Sequence, residues 1–324
     1  MTSGPAPFPR HLLAPEDPVS LPLPPVSHPA PGVRLLRGAV YALREGARPL
    51  AVDLWLPLPE EGGEAPPVVV FVHGGGWRTG RRDDPGPRLR AWRPGPFARL
   101  AQAGFAVACP DYRLSGEALH PAQTDDLAEA LAWLHARARE LCVDTGRTVL
   151  WGESAGGHLA ALTTLDHHLR RDEAHAPATA PATAPASATV TGCVTWYAPT
   201  DVEHLAEDCP PGRYDPRDPG TPEALLLGAA PADAPGRARA AGPVARVTPG
   251  APPFLVLHGT DDALIPVRQA VRLADALRGA GVEVELRLVE RGDHLWVGLS
   301  DGEVEECFLR TLAFFRARTA RPGN

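Results

Sequence analysis

Lysine is absent from the 324 residues, and isoleucine and asparagine occur once each, at Ile265 and Asn324. Abundant Ala, Arg and Pro beside those absences reflect a GC-rich coding bias rather than a functional adaptation. An excess of basic charge is missing too. The net charge is −7 and the pI is near 5.9, which argues against nucleic acid or an anionic membrane surface as partner. Cysteine is sparse: the five (Cys109, Cys142, Cys193, Cys209, Cys307) are odd in number and show no C-x-x-C spacing. That argues against a dense disulfide framework and a structural zinc site, and it predicts that most are small buried hydrophobes in a reducing, cytoplasmic compartment. No segment approaches the length of a membrane span. The proline-rich stretch 1–31 holds no apolar run of seven residues, so no secretory signal is expected there.

What is present describes an ordinary globular protein, 44% hydrophobic and 22% charged. Residues 1–31 read as a flexible or extended lead-in, and 32–320 as one catalytic domain. Gly32–Leu43 and Pro49–Pro57 predict two antiparallel strands joined by a turn at Glu45-Gly46. Val68–His73, a run of β-branched residues, suits a strand buried on both faces. Helix and strand then alternate: helix Gly95–Ala103, strand Phe105–Pro110, helix Gln123–Cys142, a strand from Thr148, and a helix after Ser154. Strands return at Val190–Tyr197, Phe254–His258 and Val282–Val289, with helices at Val267–Ala280 and Glu303–Arg318. This order predicts an α/β fold with a mostly parallel sheet of about eight strands, helices on both faces, and ligands at the carboxyl ends of the strands. A low-complexity Ala/Thr/Pro loop is expected at 172–189, and a small cap at 201–245.

The chemistry sits at those strand ends. Gly152-Glu153-Ser154-Ala155-Gly156 follows the apolar run Thr148–Trp151 and opens a helix. A serine on so tight a strand-to-helix turn is strained, with its hydroxyl exposed, and a Cβ on either glycine would strike the neighbouring strand or helix. With 32 glycines the pattern alone is only moderately specific. Its partners decide the matter. After Val68–Val72 stands His73-Gly74-Gly75-Gly76-Trp77. Gly75 and Gly76, with the N–H of Ala155, form a candidate oxyanion hole, because glycines let backbone amides approach a substrate oxygen. Phe254–His258 leads into Gly259-Thr260-Asp261-Asp262, where Asp262 is the favoured acid and Asp261 the runner-up. Val282–Val289 leads into Gly292-Asp293-His294, which offers His294 as base in the chain order Ser, Asp, His. His258 reads as a structural neighbour of the acid loop and His158 as a packing residue. No cluster of ligands predicts a metal.

As an ordered set, His73-Gly-Gly-Gly-Trp77, Asp111-Tyr-Arg-Leu114, Gly152-Glu-Ser-Ala-Gly156, His258-Gly-Thr-Asp-Asp262 and Gly292-Asp-His294 resemble an α/β-hydrolase from about Val33 to Ala317. The chain is similar to the esterases related to hormone-sensitive lipase, and nearer to bacterial feruloyl and acetyl-xylan esterases and kynurenine formamidases. The resemblance implies Ser154 as nucleophile, His294 as base and Asp262 as its orienting acid, with no cofactor. Asp-His-Leu-Trp departs from the Gly-His-Gly-Phe common in the group, which puts Leu295 and Trp296 at the substrate pocket. The expected activity is hydrolysis of small, short-chain acyl esters. Cleavage of N-formylkynurenine is the alternative, with Trp77, Trp196, Tyr197 and Trp296 as an aryl slot or, equally, as core packing. A non-catalytic binding module on the same fold is a further reading, weakened because no triad member or oxyanion glycine is missing. The final strand and helix are a place for homodimer contacts by the same resemblance.

Overall fold

The computed structural model describes residues 16–44, 46–59, 62–175 and 188–321, the side chains of 171–175 excepted. Glu45 and most of the low-complexity loop, 176–187, lie outside the described residues, as do 1–15. The strands are β1 (Val26–Ala30), β2 (Val33–Ala42), β3 (Leu50–Pro57), β4 (Pro67–Val72), β5 (Ala106–Pro110), β6 (Asp144–Glu153), β7 (Val190–Trp196), β8 (Phe254–Gly259) and β9 (Val284–Val289). They form one nine-stranded sheet in the order β1-β2-β3-β5-β4-β6-β7-β8-β9. From β5 to β9 every pairing is parallel, and the β1-β2-β3-β5 edge is antiparallel.

Alternation along β4 explains how the sheet is covered. Val68, Val70 and Val72 face one core with helices α2 (Ala122–Ala136), α4 (Ala155–His175) and α8 (Arg268–Gly279). Val69 and Phe71 face the other, with α1 (Pro96–Gln102) and α9 (Asp301–Thr319). A strand apolar on both faces is what a sheet sandwiched between helices requires. The expected helix Gln123–Cys142 is not one helix but α2 and the short α3 (Ala138–Leu141), broken at Arg137, whose guanidinium donates to the carbonyls of Val19 and Leu21 at 2.8 Å. The lead-in is therefore anchored from residue 18 onward, and 26–30 add an edge strand.

Segment 201–245 holds three short helices, α5 (Leu205–Asp208), α6 (Pro222–Leu227) and α7 (Pro235–Ala240), around a small core of Val202, Leu227, Ala238 and Ala241. The chain leaves β4 to one side, towards β5, and returns on the other as β6. The carboxyl ends of β4 and β6 therefore flank a topological switch point, where open α/β sheets leave a crevice. His73–Trp77 and Gly152–Gly156 meet there. Among the described residues no helix is long and apolar enough to cross a membrane.

Candidate active site

The turn at the end of β6 explains its own sequence. Ser154 has φ of 51°, in the left-handed region, and its N–H donates to the Trp196 carbonyl at 2.8 Å. A Cβ on Gly152 would stand 2.2 Å from the Gly156 carbonyl oxygen, and one on Gly156 2.0 Å from that of Val72. Neither contact is possible, so only glycine lets α4 start this close to β4 and β6.

Ser154 Oγ lies 3.0 Å from His294 Nε2, and His294 Nδ1 lies 2.8 Å from Asp262 Oδ2. The three residues come from the ends of β6, β8 and β9, separated by up to 140 positions. Asp262 Oδ1 accepts the N–H groups of Leu264 and Ile265 at 2.9 and 2.8 Å, which aims Oδ2 at the imidazole. Burial opposes ionisation of this carboxyl. Its hydrogen-bonding contacts with His258 and His294 outweigh burial and hold it below the usual carboxylate range. His258 fits its structural reading: its Nε2 donates to the Ile265 carbonyl at 2.8 Å and stands 3.3 Å from Asp262. Asp261 makes no contact with His294; its Oδ1 accepts from Thr260.

The N–H groups of Gly75, Gly76 and Ala155 donate to no acceptor among the described residues. Gly76, Trp77, Ser154 and Ala155 line one cavity of about 200 Å³, whereas Gly75, with φ of 116°, is not part of the lining. The acid loop contributes Leu264 and Ile265, and the 201–245 segment covers the far side with Leu205, Cys209, Arg213, Tyr214 and Glu223. At about 200 Å³ the cavity falls below the ~300–1,000 Å³ usual for drug-sized ligands, so it suits a short chain.

The aromatic slot is not formed. Trp296, expected at the pocket, is 1% exposed, and its ring packs on Tyr197 at 4.7 Å and on Trp196 at 5.5 Å. Left-handed backbone at Leu295 and Trp296, with φ of 59° and 61°, turns the Trp296 side chain inward to that aromatic core. Trp77 does line the cavity, with its indole N–H given to His158 Nδ1 at 3.1 Å.

Three residues given no role in the sequence reading also shape the site. Glu153, between Gly152 and the serine, is buried and accepts the Tyr197 hydroxyl at 2.6 Å; burial pushes its carboxyl above the ordinary value. Asp293 Oδ1 accepts both the Ala263 N–H at 2.7 Å and the His294 N–H at 2.6 Å, tying acid loop to base loop. Arg88 donates to the Trp296 and Leu299 carbonyls. Among the described residues, no group of three His, Cys, Asp or Glu side chains is placed to hold a metal ion.

The BD-FAE family model matches residues 52–277. Among curated proteins, esterase LipC of Mycobacterium tuberculosis is 31% identical over 65% of this chain and 48% of its own. Esterase LipQ of the same organism is 29% identical over 73% of this chain and 51% of its own. The chain thus spans about half the length of these relatives. Among solved structures, a truncated carbohydrate esterase from gut microbiota superposes with a TM-score of 0.68 at 24% identity, covering 84% of this chain and 91% of its own. That likeness carries the α/β-hydrolase fold.

Proposed function

The chain belongs to the BD-FAE family of α/β-hydrolase esterases and lipases, and from that premise we propose a serine carboxylesterase acting on small, short-chain acyl esters. The observation that carries the reading is the chain of contacts Ser154 Oγ, His294 Nε2, His294 Nδ1, Asp262 Oδ2, at 3.0 and 2.8 Å. Ser154 attacks the ester carbonyl as His294 Nε2 takes its proton. Asp262 keeps the hydrogen on Nδ1 and balances the charge of the imidazolium. The tetrahedral oxyanion is held by the amides of Gly76 and Ala155, with Gly75 as a further donor, each worth about 3 kcal/mol of barrier. His294 then returns its proton to the leaving alcohol, and water, activated by the same imidazole, releases the acid.

The unpaired state of the five cysteines supports a reducing, cytoplasmic setting. The small volume of the cavity supports acetate and butyrate esters over octanoate, and the packing of Trp196, Tyr197 and Trp296 into the core removes three of the four aromatics of an aryl slot for N-formylkynurenine. A fluorophosphonate probe should label the wild type and not Ser154→Ala. Turnover of p-nitrophenyl acetate, butyrate and octanoate, beside N-formylkynurenine, should favour the two short esters. A folded wild type that takes no label would sink the proposal.

A further inference from the structure

The candidate catalytic cavity holds a cation with no acid against it. Arg213 lines the cavity that opens on Ser154, and its side chain is exposed at the mouth. Among the described residues no carboxylate pairs with its guanidinium. Four other arginines are engaged. Arg217 lies 3.7 Å from Asp233, Arg246 3.6 Å from Asp166, and Arg268 and Arg272 both hold Asp208, at 3.0 and 2.7 Å. The acid that lines the same cavity, Glu223, is 4% exposed, makes no ion pair with Arg213, and has its carboxyl pushed above the ordinary value by burial. At Cys209, another lining residue, burial raises the thiol, the charges of Asp208 and Glu223 add to that, and Arg213 opposes them with a smaller pull.

Resting on the esterase reading, we infer that Arg213 selects esters that carry a free carboxylate, such as the half-ester of a small dicarboxylic acid. The guanidinium offers a planar fork of donors that matches a carboxylate, and here no protein acid occupies it. Ser154 and Arg213 line the same cavity of about 200 Å³, a space small enough for a four-carbon acyl chain on Ser154 to bring its far end to the guanidinium. A protein of net charge −7 repels anions at a distance, so the preference must come from this local contact. The contact is made equally in ground and transition states and therefore lowers KM.

The test is hydrolysis of monoethyl succinate against ethyl pentanoate, followed by pH-stat, and its readout is the ratio of the two kcat/KM values. Arg213→Gln should lower that ratio about fivefold, the scale of one exposed ion pair, mainly through the KM of the half-ester. Arg213→Glu should lower it further, and Arg213→Lys should restore part of it. The control Arg217→Gln should leave the ratio unchanged. Raising the salt from 50 to 500 mM should erode the wild-type ratio and not that of Arg213→Gln. A ratio indifferent to Arg213→Gln, with ethyl pentanoate still hydrolysed, overturns the role of Arg213 and leaves the esterase standing. A folded wild type that hydrolyses neither ester removes both.

Discussion

Tyr197 stands edge-on to His294, with ring centroids 4.9 Å apart, and its hydroxyl is held 2.6 Å from Glu153. The candidate base is therefore steadied on two sides, by Asp262 at Nδ1 and by an aromatic wall whose position a buried carboxyl fixes. Glu153 precedes the candidate nucleophile directly, so one buried pair links the nucleophile turn to the ring that backs the base.

Tyr197→Phe keeps the wall and removes the donor to Glu153. The orphaned acceptor should cost about 1–2 kcal/mol of stability in urea unfolding, with less than about a tenfold loss in kcat. Glu153→Gln should lower stability as well, and the double variant should fall short of the sum by about 1 kcal/mol, because both changes break the same contact. Additive losses would mean that the 2.6 Å contact carries no coupling.

Arg88 reaches across the chain to the loop that carries His294. One nitrogen donates to the Trp296 and Leu299 carbonyls at 2.7 and 2.8 Å, and the other pairs with Asp301 at 2.8 Å. The loop needs such a clamp because Leu295 and Trp296 both sit in left-handed conformations that non-glycine residues avoid. Arg88 does not line the cavity. Arg88→Met should therefore lower kcat about tenfold or more with little change in KM, since small misplacements of a catalytic group are costly. Amide exchange at 294–300 should quicken in parallel. Faster exchange with full kcat would show that the clamp serves stability alone.

The contrast between Ser154 and Arg88 shows what the sequence makes legible. Ser154 and Asp262 follow apolar strand runs and His294 follows the alternating run Val284–Val289, so their placement reads from local pattern once the strand order is inferred. Gly152 and Gly156 are legible for the same reason, since the steric demand lies within the turn. Arg88 and Trp296 are 208 positions apart, and no periodicity or spacing announces their contact. Trp296 was open to a pocket or a core reading because the choice turns on two left-handed residues, and no composition signal marks left-handed backbone at Leu or Trp. Strand β1 escapes for a different reason. Val26-Ser-His-Pro-Ala is polar and contains Pro29, which only an edge strand tolerates, and 26–30 form the exposed edge of the sheet.

His158 joins the candidate oxyanion loop to the 201–245 segment, and its protonation state follows from its partners. The Trp77 indole N–H can only donate, so Nδ1 accepts; the hydrogen is on Nε2, which donates to the Ala241 carbonyl at 2.6 Å. Burial pushes the imidazole down to about 3, with a smaller push from His120 and an opposing pull from the Ala241 carbonyl. The folded value lies below the unfolded value of 6.5, so the neutral ring contributes stability that is complete above pH 6.5. That stability drains away as pH falls towards about 3, because only the unfolded chain takes up the proton. Within that window the group adds a slope of about 1.4 kcal/mol per pH unit. His158→Gln keeps some hydrogen bonding and does not titrate. It should be less stable than the wild type at pH 7, and the gap between the two should narrow steadily in urea unfolding from pH 6.5 to pH 4. Nitrogen NMR of the wild type should show the Nε2–H tautomer unprotonated down to pH 4. A gap that stays constant with pH, or a ring that protonates near pH 6, would contradict the assignment of His158 as a neutral bridge between Trp77 and Ala241.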